Sequence, residues 1–230
     1  MAYDLLIKNG RIVDGSGGPS FRGDVAVKDG KIVEIGKLSG PAARTVDAAG
    51  QVVAPGFIDN HCHYDAQVTW DPLCTFSCDH GATSVVFGNC SLSLAPVKKG
   101  KEDRLCEFLS YVEAIPMEVL RTLEFTWESF PEYLEQMDHH LGVNVGNLIG
   151  HTAVRYYVMG DECQKRTATD DEIKEMQELV RDGMKAGALV KLDQAEPLAE
   201  LAAEIGAGAV HVVEDAELHE LFPRFTPMVG

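Results

Sequence analysis

Short runs of alternating apolar and polar residues fill the beginning of the chain. From Asp4 to about Ala54 they read DLLIKN, RIVD, DVAVKD, KIVEIG and QVVAPG, with Gly, Asp, Asn and Pro between them. A period of two predicts half-buried strands, and the separating residues favour turns. We therefore predict a run of β-hairpins over residues 1–54. These contribute the N-terminal strands of a small β-sandwich, because a half-buried sheet needs a second layer. The glycine-rich stretch at residues 15–18 has no GxGxxG spacing and no following helix, so it predicts a turn and not a phosphate loop.

After Pro55 apolar strands alternate with amphipathic helices. Strands are predicted at GFIDNHCH, TSVVFGNC, VNVGNLIGH, ALVKLD and GAVHVVED, and helices at KEDRLCEFLSYVEAI, SFPEYLEQMDHHL and TDDEIKEMQELVRDGMKAG. The last helix has Thr169 as its N-cap and Glu172 three residues on, which is a capping box, and it ends near Gly187. This alternation predicts about four to five parallel βα units, hence an α/β barrel or an open doubly wound sheet.

Composition and charge narrow the class of protein. Apolar residues make up 45% of the 230 positions and charged residues 24%, which is enough for a sizeable core. The net charge is −16, and nearly all of it follows Gly100, since the first 100 residues hold 9 basic and 10 acidic side chains. A field of this sign repels phosphate backbones and anionic membranes. We therefore expect neither nucleic acid nor a membrane as partner.

The sequence contains neither a membrane helix nor a signal peptide by pattern. No run of about 20 apolar residues occurs, and the N-terminus lacks a basic start followed by an apolar core. We therefore expect a cytoplasmic protein, in which cysteines stay reduced and serve as core residues, metal ligands or nucleophiles. The cysteines are Cys62, Cys74, Cys78, Cys90, Cys106 and Cys163.

Two histidines close the first strand of the βα region. In an extended chain residues two apart project to the same side, so His61 and His63 point together while Cys62 faces away. Paired imidazoles at the carboxyl end of a parallel strand favour a divalent metal site. The alternative is a pair of satisfied surface histidines.

A cysteine closes the second strand of the same region. Cys90 follows Gly88 and Asn89, at the strand end next to the histidine pair, where a thiolate would be a soft anionic ligand. Its alternative role is that of a small buried apolar residue. Cys74, Cys78 and His80 form a rival CxxxCxH cluster for structural zinc, but no second ligand pair follows at finger-like spacing.

Several phrases of the chain resemble a known family. VAPGFIDNHCHYDAQVTWDP and HGATSVVFGNCSLSLAPV resemble the amidohydrolase superfamily, and within it the N-terminal part of the N-acyl-D-amino-acid deacylases, the D-aminoacylase group. NGRIVDGSG with DVAVKDGKIVEIG, WESFPEYLEQMD, GHTAVRYYVMG and TDDEIKEMQELVRDGMKAGAL are similar to phrases of the same group. The resemblance runs from about residue 3 to residue 189.

The resemblance implies a fold and an activity. Residues 55–189 would form the first half of a metal-dependent (β/α)8 TIM-like barrel, with His61, His63 and Cys90 as zinc ligands. Such enzymes hydrolyse the amide of an N-acyl amino acid, a small-molecule partner, with a water molecule that the metal activates. Asp65 lies too close along the chain to be assigned the proton-transfer role, and we expect it to orient a histidine from outside the ligand set.

Two residues after the third strand are candidates for lining the substrate site. His151 follows that strand in GHTAVR, and its alternative is a structural role at the rim. Arg155 suits a substrate carboxylate through its planar fork, or else an ion pair with a nearby helix. His139 and His140 lie on an acidic helix and are expected to face solvent.

The resemblance stops after Leu189, and residues 190–230 diverge. Lys191 and His211 are candidates to replace later metal ligands of the family. The alternative for Lys191 is an exposed or partly buried lysine without a metal role. His211 lies inside its predicted strand and not at the strand's end. The family's catalytic aspartate would lie beyond Gly230. A truncated, catalytically incomplete relative and a non-enzymatic metal-binding domain therefore stay open, and a half-barrel with open edges predicts a homo-oligomer that covers them.

Overall fold

The alternating segments at the start of the chain form one sheet. The computed structural model describes residues 2–137 and 141–189. Residues 2–57 make one unit, and the described residues from 58 onward make another. The first unit contains β1 (Tyr3–Ile12), β2 (Phe21–Lys28), β3 (Lys31–Gly36), β4 (Ala42–Asp47) and β5 (Val52–Val53). The strand order is β3-β2-β1-β4, and β5 also pairs with β1.

The predicted antiparallel hairpins are confirmed for β1, β2 and β3, but the prediction is wrong for β4 and β5. β1 pairs antiparallel with β2, and β2 with β3, whereas β4 and β5 both run parallel to β1. DLLIKN and RIVD also form one strand instead of two. Asn9 takes a left-handed backbone conformation with φ of 62°, and the register shifts between Ile7 and Gly10. The Asn-Gly pair therefore makes a bulge and not a turn, because Asn9 donates its N–H to Asp24 and its side-chain amide to Asp47.

The glycine-rich stretch after β1 is a loop, as predicted. It joins β1 to β2 and precedes no helix. Gly15 and Gly17 have φ of 81° and 78°, a region that glycine enters without strain. The Asp14 carboxylate accepts hydrogen bonds from the Ser16 N–H at 3.0 Å and hydroxyl at 2.7 Å, which fixes the turn.

The second unit has mixed α/β structure, as the alternation predicts. Its sheet has the order β6-β7-β8, and β7 runs parallel to β8 from Ser84–Asn144 to Phe87–Asn147. The strands are β6 (Phe57–Asp59), β7 (Ala82–Phe87) and β8 (Asn144–Asn147). The helices are α1 (Thr75–Asp79), α2 (Glu102–Glu113), α3 (Met117–Leu120), α4 (Phe130–Met137), α5 (His151–Met159) and α6 (Asp170–Lys185). None of these described helices has the length and apolarity needed to cross a membrane.

The first strand of this unit is shorter than predicted. β6 ends at Asp59, whose carboxylate accepts a hydrogen bond from the His61 N–H at 3.2 Å. The chain nevertheless stays beside β7, because the Cys62 N–H donates to the Val86 carbonyl at 3.1 Å. At the other side, Leu189 forms a parallel bridge with Leu148. The remainder of the strand predicted at 188–193, the strand predicted at 208–215, and the candidates Lys191 and His211 lie outside the described residues.

Aromatic side chains form much of the core beneath the sheet. The rings of Trp127 and Tyr133 lie 4.9 Å apart, and those of Phe130 and Tyr133 lie 6.0 Å apart. All three are buried together with Phe87 of β7, and burying one such side chain stabilises the fold by about 1.5–3 kcal/mol. The Trp127 indole N–H donates to the Leu94 carbonyl at 2.9 Å, so the polar atom of this ring is also satisfied. The predicted helix over SFPEYLEQMDHHL begins at residue 130 and is described to residue 137, so His139 and His140 lie outside the described residues.

The predicted capping box of α6 is confirmed, and it generates a test. Thr169 accepts from the Glu172 N–H while the Glu172 carboxylate accepts from the Thr169 N–H, and Arg166 donates to both oxygens of Glu172.

We expect Thr169→Ala to lower the free energy of unfolding by about 1 kcal/mol, because an N–H of the first turn loses its acceptor. Urea unfolding followed by circular dichroism measures this. Thr167→Ala is the matched control, since Thr167 contributes only its retained carbonyl to Arg166. Equal losses in both variants would contradict the cap.

Candidate metal site

Three predicted ligands meet at the carboxyl ends of the first two strands. The donor atoms of His61, His63 and Cys90 all lie within 4.8 Å of one another. The His61 Nε2 atom is 3.4 Å from the Cys90 sulfur. Within residues 2–137 and 141–189, this is the one group of at least three His, Cys, Asp or Glu side chains close enough to share a metal ion. His61 and Cys90 are exposed and His63 is half-buried, so the cluster opens to solvent.

Alternation along the chain after β6 directs the two histidines to one side. The His61 and His63 ring centroids lie 5.4 Å apart in an edge-to-face arrangement. Cys62 between them points the other way, and its thiol donates to the Val86 carbonyl of β7 at 3.3 Å. Burial raises the pKa of the Cys62 thiol, and the nearby Asp59 carboxylate raises it further. Cys62 is therefore a protonated thiol that fastens this segment to the sheet.

Cys90 sits on a left-handed turn that follows β7. Gly88, Cys90 and Ser91 have φ of 83°, 55° and 65°. For the two residues other than glycine, this conformation costs roughly 1–2 kcal/mol each. The Asn89 amide offsets the cost, since it donates to the Val86 carbonyl at 2.9 Å and to the Cys62 carbonyl at 3.3 Å. One side chain therefore joins the turn that carries the thiol to the segment that carries the imidazoles.

Asp65 supports the same turn from below. Its carboxylate accepts a hydrogen bond from the Gly88 N–H at 3.2 Å, and its carbonyl accepts one from the Tyr133 hydroxyl at 2.6 Å. The side chain is fully buried, and this burial raises the pKa of the carboxyl to about 7. The sequence predicts that Asp65 orients a histidine. Its carboxylate instead accepts a hydrogen bond from the backbone of the turn that carries Cys90.

His63 has surroundings that suit a metal ligand. Its Nδ1 atom is buried and has no hydrogen-bond partner among the described residues, so at least one ring nitrogen is left without a protein partner there. Burial lowers the pKa of this imidazole, which favours the neutral form that binds metals. Its Nε2 atom lies 3.4 Å from a carboxylate oxygen of Glu113, the last residue of α2.

The donor set fits zinc. Two imidazoles and one thiolate combine borderline and soft donors, which is the chemistry that Zn²⁺ selects, and they leave a tetrahedral ion one further position. His61, His63 and Cys90 would hold the ion. Asp65 and Asn89 would hold the ligands in place through the backbone.

The candidate substrate-lining residues lie at and near the start of α5. His151 is the first residue of the helix, and burial lowers the pKa of its imidazole, with the Arg155 charge adding to the effect. Arg155 donates to the carbonyls of Cys163 at 2.8 Å and Arg166 at 2.6 Å. Its guanidinium thus fastens the segment between α5 and α6 through backbone acceptors, and not through the helix carboxylate that the sequence offered as an alternative.

The rival cluster does not converge in the described residues. Cys74 is buried and begins α1 in a left-handed conformation with φ of 48°. His80 stacks against Phe76, and its Nδ1 atom is 2.7 Å from the Phe76 carbonyl oxygen. Cys78 packs against the core. These three side chains contribute to helix α1 and its packing.

Comparison with known proteins gives a consistent set of relatives. A family model described as amidohydrolase family matches residues 44–220. The chain is 37% identical over 189 residues to D-aminoacylase of Alcaligenes xylosoxydans xylosoxydans, which covers 81% of this chain and 37% of that protein. It is 36% identical over 187 residues to N-acyl-D-aspartate deacylase of the same organism, covering 80% and 35% respectively. The chain thus spans little more than a third of the length of these curated relatives.

The fold of the chain is also similar to that of solved deacylase structures. N-acyl-D-glutamate deacylase from Bordetella bronchiseptica, complexed with zinc and a phosphonate inhibitor, superposes with a TM-score of 0.72 at 32% identity. That match covers 89% of this chain and 44% of the other. The described residues therefore share the fold of one part of a larger, zinc-containing protein.

The close approach at Gly88 leads to a test of the turn. A Cβ at Gly88 would collide with the Leu148 carbonyl oxygen, whereas a Cβ at Gly100, which has the same φ of 83°, would meet nothing within 4 Å. We expect Gly100→Ala to cost roughly 1–2 kcal/mol from the left-handed backbone alone. Gly88→Ala should cost about 1–3 kcal/mol more from overpacking. Urea unfolding of the two variants gives the difference directly, and equal costs would mean that the turn has room to move.

Proposed function

This chain belongs to the amidohydrolase family, and we propose that it carries the first ligands of a zinc centre that hydrolyses the linear amide of an N-acyl amino acid. The resemblance to the N-acyl-D-amino-acid deacylases is confirmed by the relatives and the matching fold. The observation that carries the proposal is the convergence of His61, His63 and Cys90 from two adjacent strand ends.

The proposal includes a finer description of the fold. We propose that the second unit is part of a (β/α)8 barrel with about four to five βα units, and that the N-terminal sheet belongs to a small β-sandwich. The parallel pairing of β7 with β8 across intervening helices supports the barrel. The parallel bridge between Leu148 and Leu189 supports a further neighbouring strand.

The chemistry divides between the ion and this chain's residues. When bound, zinc supplies a Lewis acid that polarises the scissile carbonyl and activates a water molecule at neutral pH. His61 and His63 supply neutral nitrogens, and Cys90 supplies a negative sulfur that offsets part of the dication's charge. The exposed edges of His61 and Cys90 leave the centre accessible to a small substrate. Asp65 and Asn89 are buried and would keep the three donors together through the backbone.

The substrate class follows from the relatives' names. They are a D-aminoacylase and N-acyl-D-aspartate and N-acyl-D-glutamate deacylases, so we propose an N-acyl-D-amino acid for this chain. His151 and Arg155 stay our candidates for lining the substrate site. The Arg155 guanidinium already donates to two backbone carbonyls. Of the two residues, His151 is therefore the better candidate for direct contact with the substrate.

Metal retention tests the centre itself. We expect the purified chain, loaded with zinc and dialysed, to keep about one equivalent, and Cys90→Ser to weaken zinc binding at least tenfold because a hydroxyl is a far poorer anionic donor than a thiolate. His61→Ala should do the same. Competition with a coloured chelator measures the dissociation constants. Cys163→Ser is the matched control because Cys163 lies outside the ligand cluster, and a change of the same size in that variant would sink the assignment of Cys90.

Hydrolysis tests the activity separately. We expect the zinc-loaded chain to release free amine from N-acetyl-D-amino acids, with acidic side chains included in the panel, and to favour them over the L enantiomers. His61→Ala should abolish the release, because the carbonyl then loses its Lewis acid. Zinc binding without turnover on any member of the panel would favour a non-enzymatic metal-binding domain or a catalytically incomplete relative.

A further inference from the structure

We infer that Tyr133 of α4 is a positioning residue for the metal centre, which it holds through the backbone of Asp65. The inference rests on the metal centre of the proposed function and extends it to a helix that carries none of the three ligands. The Tyr133 hydroxyl donates to the Asp65 carbonyl at 2.6 Å, across 68 residues of sequence. In the sequence Tyr133 stands within the predicted amphipathic helix SFPEYLEQMDHHL.

The core fixes the position of the Tyr133 hydroxyl. The ring is fully buried and packs against Trp127 at 4.9 Å and Phe130 at 6.0 Å. Phe130, Tyr133 and Met137 are the buried residues of α4, and their spacing of three and four places them on one face of the helix. Burial raises the pKa of the Tyr133 hydroxyl well above its usual value, and the Asp65 charge adds to the effect. The hydroxyl therefore stays protonated and acts as a donor.

Packing alone does not require this hydroxyl. Phenylalanine offers the same ring, and a buried hydroxyl gives up the hydrogen bonds that it makes with water. The distance of 2.6 Å from the Tyr133 oxygen to the Asp65 carbonyl oxygen lies at the short end of the range for O–H···O bonds. The contribution that distinguishes tyrosine from phenylalanine here is thus the restraint on one backbone carbonyl.

Asp65 passes this restraint to both ligand-bearing segments. Along the chain Asp65 follows His63 by two residues. Across the sheet its carboxylate accepts a hydrogen bond from the Gly88 N–H at 3.2 Å, and Gly88 begins the left-handed turn that carries Cys90. A rotation of the Asp65 peptide would therefore disturb the histidine segment and the cysteine turn together.

Loss of the hydroxyl would favour such a rotation. The Asp65 carbonyl would then be buried with no hydrogen-bond donor among the described residues. An unpaired buried acceptor costs more than the bond itself contributes, so the peptide gains by turning toward another donor. Metal ligation tolerates bond-length changes of only about 0.2 Å. A small displacement of either segment is therefore enough to weaken metal binding.

Tyr133→Phe removes one oxygen atom and tests the inference on the full chain. We expect zinc affinity, measured by chelator competition, to fall about tenfold, the low end of the 10–100-fold effect of partners outside the ligand set. With Co²⁺ as the probe, we expect the sulfur-to-cobalt charge-transfer band to weaken or shift, because the Cys90 turn moves relative to the histidines. Tyr156→Phe is the matched control, since Tyr156 is also buried and its hydroxyl donates to Asp161.

A metal-free measurement follows the same contact. In the apo chain we expect the Gly88 amide of Tyr133→Phe to exchange with solvent about fivefold faster than that of the wild type, because local opening no longer breaks an intact hydrogen-bond chain. The Leu148 amide, which donates to the Phe87 carbonyl at 2.8 Å, is the internal reference for global stability. Equal acceleration of the two amides would mean general destabilisation and would contradict the inference.

The metal measurements have their own contrary outcomes. A fall in unfolding free energy with unchanged zinc affinity and superposable cobalt spectra would make Tyr133 a core residue alone, because a chain that stays folded keeps its affinity. An equal fall in affinity in Tyr156→Phe would also overturn the inference. Circular dichroism of each variant shows that the fold is intact. Failure of the wild-type chain to bind zinc would overturn the proposed centre and this inference with it, whereas an unchanged Tyr133→Phe overturns the inference alone.

Discussion

The candidate site depends on how one segment is joined to one turn. The segment that carries His61 and His63 has left regular strand pairing, and the turn that carries Cys90 is left-handed at two residues that disfavour that conformation. Neither would keep its shape alone. The Asn89 amide binds a carbonyl on each side of the junction, and the Asp65 carboxylate binds the N–H at the start of the turn. These buried polar contacts set the separation of the three donors.

Buried polar groups of this kind cost stability and give specificity. Asn89 and Asp65 each keep one buried oxygen that has no hydrogen-bond partner among the described residues. Asp65 also carries a pKa raised to about 7 by its burial, so its ionised form is destabilised in the folded protein. An apolar pair of the same size would fill the space at lower cost. Only a polar pair can bind the backbone of both the histidine segment and the cysteine turn. The arrangement of the site is therefore maintained at a cost in stability to the core beneath it.

Short patterns in the sequence predicted those features of the structure that depend on contacts between residues close along the chain. Alternation fixed the common direction of the histidines and the opposite direction of Cys62, and the Thr169 capping box followed from two residues at fixed spacing. Non-local contacts decided the remainder. The parallel pairing of β4 and β5 with β1 depends on a crossover that no short pattern encodes. The hydrogen-bond partner of the Asp65 side chain, the Gly88 N–H, lies 23 residues away along the chain. Glu113 contacts His63 at 3.4 Å in the fold, a contact that no spacing in the sequence indicates.

The proposed metal binding and the proposed catalysis make separate demands on this architecture. The His61 and Cys90 donors are 29 residues apart in sequence and belong to neighbouring strand ends, so the ligand cluster is a property of a compact part of the second unit. Proton transfer to the leaving amine requires a further group near the reacting carbonyl. Two carboxylates lie near the cluster, but Asp65 is buried beneath the turn and Glu113 contacts His63. If the proposed function is right, these contacts would hold the metal by local geometry, while turnover would depend on whether a carboxylate reaches the substrate.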